Sequence, residues 1–123
     1  MTEHPAPPVA IIIFSTTETR ESNARVINAF MTAKEIIEAE GEVEVIFDGA
    51  GVTAAVEFAC PDHQMHRLYS QVSGHVTGVC RFCARSYEVL ERADELGISL
   101  VDEWKQHPSL YTRIKAGVYI LTF

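Results

Sequence analysis

Basic residues are scarce in this chain. Ten Lys and Arg stand against 17 Asp and Glu, a formal charge of −7, and the few cations are scattered. A surface without a positive patch suits neither nucleic acid nor an anionic bilayer, so neither is expected as a partner. Long apolar runs are missing as well. The longest, Val9 to Phe14, falls far below the ~18 residues that would suggest a membrane span. Cysteine is limited to three, an odd number, which fits reduced thiols in a cytoplasmic protein better than a disulfide framework. Three of the five prolines fall in the opening MTEHPAPP. That opening has no basic region followed by an apolar one, so it does not read as a secretory signal. No internal repeat or low-complexity tract is present.

What remains is an ordinary globular composition, 123 residues with 47% hydrophobic and 22% charged, enough for one domain with a real core. Residues 1–8 read as a loose lead and 9–123 as a single domain. VAIIIF (Val9 to Phe14) is continuously apolar and rich in β-branched residues, as in a strand covered on both faces. After a polar turn, Val26, Phe30, Ala33 and Ile37 mark a helix from Arg20 to Glu40 that Gly41 would end. Val43 to Phe47 is the next strand, followed by Asp48-Gly49-Ala50-Gly51. Val52 to Ala59 fits either a short helix or an irregular segment. Asp62 is placed to cap a helix with Met65, Leu68 and Val72 on its inner face, closed by Gly74.

The strand Val76 to Cys80 then turns into a helix from Phe82 to Leu96, expected to bury Tyr87, Leu90 and Ala93 and to end at Gly97. Ile98 to Val101 suits a short edge strand. His107-Pro108-Ser109 starts a last helix carrying Leu110 and Ile114 inward, and Val118 to Phe123 is the last strand. Strands alternating with helices predict an α/β sandwich, a mainly parallel sheet with helices on both faces. Ligands of such sheets bind beyond the carboxyl ends of the strands. That gathers Ser15–Thr17, Asp48–Gly51 and Cys80–Cys83 along one edge.

Cys80 and Cys83 are the candidate reactive groups. A free thiol has a pKa of ~8.5, and ~1.4 kcal/mol of differential stabilisation lowers it by one unit. A helix terminus contributes about 0.3–1 kcal/mol, and Arg81 and Arg85 are near enough in sequence to supply the rest. The spacing leaves several chemistries open: Cys80 as a persulfide-carrying nucleophile, a Cys80–Cys83 dithiol–disulfide pair, metal binding, or two inert buried thiols. Cys60, His63 and His66 add to a count of metal ligands, but helical spacing turns His63 away from Met65, Leu68 and Val72. The standard zinc spacings are also absent, so neither a metal nor an organic cofactor is expected. Gly49, Gly51 and Ala54 match G-x-G-x-x-A, yet residues 67–74 lack the acidic partner of a dinucleotide site. The loop reads as a tight turn in a pocket wall, with Asp48 and Ser15 as polar contacts. Glu57, Glu103 and His107 are candidate proton-transfer groups, and also ordinary surface residues.

Taken together, VAIIIFS, VIFDGAGV, VTGVCRFCA and GVYILTF make the chain resemble the DsrE/DsrF-like family over its whole length after residue 8. The resemblance implies a three-layer α/β/α domain with about five parallel strands. It also implies homo-oligomers (dimer, trimer or hexamer) and a sulfur-relay role, with sulfane sulfur held as a persulfide on Cys80. Sulfur donor and acceptor proteins, or small sulfur species, would then be the partners. Cys83 departs from the single cysteine usual at this turn. The Cys80-Arg81-Phe82-Cys83 turn and the segment His107 to Ser109 resemble a separate branch of the family, in which Cys83 would tune Cys80 or release its sulfur.

Overall fold

Strand β1 (Val9–Ile13) lies at the heart of the sheet because both its faces are apolar and both its edges are paired. A computed structural model describes residues 6–123. Of the expected loose lead, residues 1–5 lie outside the described residues, while the Pro8 carbonyl accepts the Tyr119 N–H at 2.9 Å. Helix α1 (Arg20–Glu38) follows, opened by a capping box in which Thr19 and Ser22 satisfy each other's backbone N–H groups. It buries Val26, Ala29, Phe30 and Ala33. Then come β2 (Val43–Phe47), α2 (Gly51–Ala59), α3 (His66–Val72), β3 (Val76–Cys80), α4 (Arg81–Ser86), α5 (Leu90–Glu95), β4 (Leu100–Val101), α6 (Leu110–Lys115) and β5 (Tyr119–Thr122).

The five strands run parallel in the order β4-β3-β2-β1-β5. From β1 to β4 each step moves the same way across the sheet, so right-handed crossovers place α1 to α5 on one face. The connection from β4 to β5 returns across the whole sheet and carries α6 over the other face. The molecule is therefore a three-layer α/β/α sandwich with unequal outer layers. The large core lies under α1 to α5, where Phe30 stacks on Phe58 at 5.2 Å between centroids and meets Phe47 at 6.0 Å. The second core is small: Ala10, Ile12, Ile46 and Val101, covered in part by Leu110 and Val118.

Several expectations are corrected. The helix expected from Phe82 to Leu96 is two, because Glu88 adopts φ 59°. Around it the Glu88 and Val89 N–H groups bond back to the Arg85 and Ala84 carbonyls, a complete Schellman stop with Glu where Gly is usual. Tyr87 consequently points out rather than in. Helix α1 ends the same way at Glu38, two residues short of the expected Glu40, with Glu40 at φ 62° taking the stop position expected of Gly41. The helix expected from Asp62 begins only at His66, after turns through residues 61–65. On α6, Ile114 is exposed, because one six-residue helix over an open face has an outer side with nothing against it.

Candidate functional site

Chain direction builds the site. Strands β1, β2 and β3 each lead into helices of the first face, whereas β4 leads into α6 on the second. Neighbours β3 and β4 therefore part at their carboxyl ends, the crevice in which open α/β sheets hold ligands. Cys80 ends β3 there, in register with Val101 of β4. On its other side Phe47 pairs with Val79, which brings Asp48 level with Cys80. The loop after Asp48 is fixed by packing. A Cβ on Gly51 would stand 2.0 Å from the Ile13 carbonyl oxygen, so only glycine lets α2 start so close to β1. Gly49 turns with φ 50°, and its N–H donates to Asp48 Oδ1 at 2.8 Å.

The fourth contributor comes from the segment after β4. Trp104 and His107 bridge across a two-residue turn in which Lys105 (φ 48°) and Gln106 (φ 69°) are both left-handed. That is the hairpin geometry normally given to Asn-Gly. The turn sets His107 Nδ1 3.2 Å from Cys80 Sγ and the Gln106 carbonyl 3.6 Å from it. Arg113, nearly buried, braces the segment by bridging Glu103 and Glu44, and Glu103 also accepts the Ser109 N–H at 2.9 Å. Arg113 thus depresses the Glu103 pKa. The His107 ring packs on Phe82 at 4.9 Å between centroids.

Around the sulfurs the contacts are close. The Cys83 N–H donates to Cys80 Sγ at 3.5 Å, and the Cys83 thiol donates to Asp48 Oδ1 at 3.5 Å. Each of Asp48, Cys80, Cys83 and His107 offers one donor atom, and those atoms all lie within 4.8 Å of one another.

The expected thiolate is corrected by these surroundings. Cys80 is 0% exposed, and burial pushes its pKa up to about 12 despite the opposing Cys83 N–H. Burial raises Cys83 too. Neither arginine supplies the positive charge assigned to it. Arg81 pairs with Asp102 at 3.0 Å on the surface, and Arg85 donates to the Gln106 side chain. Helix α4 has only six residues, a short stack of peptide dipoles.

The structure thus brings Asp48, Gly49, Cys80 and Cys83 together and leaves Ser15 two strands away, about 10 Å at the usual strand spacing. Of the proton-transfer candidates it selects His107. Glu57 accepts from Thr17, and Glu103 is paired with Arg113. The upstream ligand count does not converge on the site: Cys60 receives Arg92 at 3.7 Å, His63 Nδ1 accepts the Met65 N–H, and His66 Nδ1 meets the Phe58 carbonyl. What sequence reasoning missed was that β4, read as a mere edge, sends its following loop back over Cys80. The available signal was His107 itself, placed just after a strand end.

No family model matches the chain, and no curated protein matches it in sequence. Among solved structures the fold is similar to a conserved protein of unknown function from Bacteroides thetaiotaomicron. The TM-score is 0.67 and the identity 19%, over 93% of each chain. At that identity the likeness establishes the shared α/β architecture. No helix of the described residues is long and apolar enough to cross a membrane.

Proposed function

We propose that this is a sulfur-handling thiol protein of the DsrE/DsrF-like kind, working in a reducing, cytoplasmic setting, which accepts sulfane sulfur on Cys80. The observation that carries the reading is the contact of Cys80 Sγ with His107 Nδ1 at 3.2 Å, beside a second thiol at the crevice between β3 and β4. His107 takes the Cys80 proton as the sulfur attacks the outer sulfur of a small persulfide, RSSH. The donor S–S bond breaks and RS⁻ leaves, recovering the proton from His107 as RSH. Cys80 then holds –S–SH.

A nucleophilic acceptor removes the outer sulfur and returns the thiol. Alternatively, Cys83 attacks Cys80 Sγ, expels HS⁻ and closes a Cys80–Cys83 disulfide, which two equivalents of an external thiol reopen. Because Cys80 has no exposed surface, the donor would reach it past half-buried Cys83, with His107 kept against the Cys80 sulfur.

The test is intact-mass analysis of the reduced protein after incubation with glutathione persulfide. Wild type and Cys60→Ser are expected to gain the mass of one sulfur, and Cys80→Ser to gain none. An unmodified wild type, or an equal gain on Cys80→Ser, removes the proposal.

Self-association belongs to the same reading. Trp104, Tyr111 and Ile114 are 62%, 71% and 56% exposed on the thinly covered side. With Pro108 and Leu110, Trp104 and Tyr111 line a hollow of about 470 Å³. A second copy of this chain is the occupant that fits a family of oligomers.

A further inference from the structure

The geometry points to a mononuclear metal site, formed by Asp48, Cys80, Cys83 and His107, for a borderline divalent cation of the zinc class. Four segments converge to make it: the loop after β2, the end of β3, the first turn of α4 and the turn after β4. Bond lengths of about 2.3 Å to sulfur and about 2.0–2.1 Å to nitrogen or oxygen set the edges of a tetrahedron. Sulfur–sulfur should then be ~3.8 Å, and sulfur–nitrogen or sulfur–oxygen ~3.5 Å. The two mixed edges recorded here are 3.2 Å, Cys80 Sγ to His107 Nδ1, and 3.5 Å, Cys83 Sγ to Asp48 Oδ1. All four donor atoms lie within 4.8 Å of one another. Small side-chain rotations therefore suffice to close a tetrahedron around one ion.

The donor set chooses the metal class. Two sulfurs and an imidazole reject magnesium and calcium, which take oxygen shells, and suit zinc or cobalt(II). The outer partners are also in place. Gly49 N–H orients the Asp48 carboxylate at 2.8 Å, and the Cys83 N–H points at the Cys80 sulfur. Phe82 supports the His107 ring, while the bridge from Arg113 to Glu103 and Glu44 anchors the segment that delivers it. Such supports are what fix the direction of ligands before the ion arrives. With four protein ligands the site is closed, of the structural or thiol-masking kind rather than one with a free position for substrate.

This inference goes beyond the sulfur reading and does not depend on it. A bound ion takes one lone pair of the Cys80 sulfur and withdraws charge from it, lowering its nucleophilicity, so metal binding and sulfur loading compete for that atom. The test is anaerobic titration of the reduced, metal-free protein with Co²⁺, followed by absorption spectroscopy. A single equivalent is expected to give thiolate-to-cobalt charge transfer in the near ultraviolet and intense visible bands of tetrahedral cobalt. One equivalent of Zn²⁺ should erase both. Cys60→Ser should behave as wild type, Cys83→Ser should lose about half of the charge-transfer intensity, and His107→Ala should bind at least about tenfold more weakly.

Cys83 is half-buried and serine differs from it by one atom, so that variant keeps the test meaningful even where Cys80→Ser disturbs folding. Only weak octahedral bands on wild type, or full charge transfer surviving in Cys83→Ser, overturns the proposal. So does a signal lost in Cys60→Ser. Persulfide loading measured in the presence of a chelator reports separately: its failure sinks the sulfur reading alone, and a failed cobalt titration sinks the metal site alone.

Discussion

Tyr69 and Cys80 are both ionisable groups packed into the large core, and each shows what burial does to a proton. Tyr69 sits edge-on to Phe30 at 6.1 Å between centroids, and burial raises its phenol pKa above the ordinary value of 10.0. A raised folded pKa means that its contribution to stability is complete below about pH 10 and disappears as pH climbs through the folded value. The urea midpoint of the wild type should therefore fall as pH rises past about 10. Tyr69→Phe, which has no phenol proton, should show a flatter alkaline limb. Equal slopes for the two proteins would contradict the assignment. Cys80 obeys the same physics, and the sequence could not reveal it. A strand-to-helix turn and two nearby arginines are visible in VTGVCRFCARS; the Asp102 carboxylate and the Gln106 side chain that engage those arginines are tertiary partners.

Among the elements, the helix stops separate what was legible from what was not. Strands β1 and β2 could be read directly, since VAIII and VEVIF are rich in β-branched residues, and Gly97 and Gly117 end α5 and α6 with φ 74° and 84°, as glycines should. Glu40 and Glu88 perform the same role without the glycine signature. The apolar spacing from Tyr87 to Ala93 runs straight through the break, and it suggested one helix. A left-handed L-residue costs about 1–2 kcal/mol, while glycine loses about 0.5–1 kcal/mol in extra chain entropy. Glu88→Gly should therefore stabilise by about 0.5–1 kcal/mol, raising the thermal midpoint by a few degrees with unchanged circular dichroism. The Lys105–Gln106 turn was hidden for the same reason. With it was hidden the placement of His107, which depends on β4 lying beside β3.

At the scale of the whole molecule the unequal layers dominate. One face carries five helices and the other carries one, so Trp104, Tyr111 and Ile114 remain uncovered on the thin side. If a second copy covers them, Tyr111→Glu should shift the protein to a smaller species in size-exclusion chromatography with light scattering, with its helix and strand content unchanged. A wild-type monomer at all concentrations would remove that expectation. The parallel sheet and sandwich class followed from the alternation of strands and helices alone. The lopsidedness did not, because strand order and the long return to β5 leave no mark on local periodicity.

That long return also sets a timetable. A ribosome emitting this chain releases Asp48, Cys80 and Cys83 before the stretch that bears His107, and α6 and β5 emerge only after that stretch. Until then the nascent sheet has one bare side, and its two thiols sit in an unfinished niche. An ion or sulfur species held in this niche would meet its full set of neighbours only after that stretch had emerged and folded back.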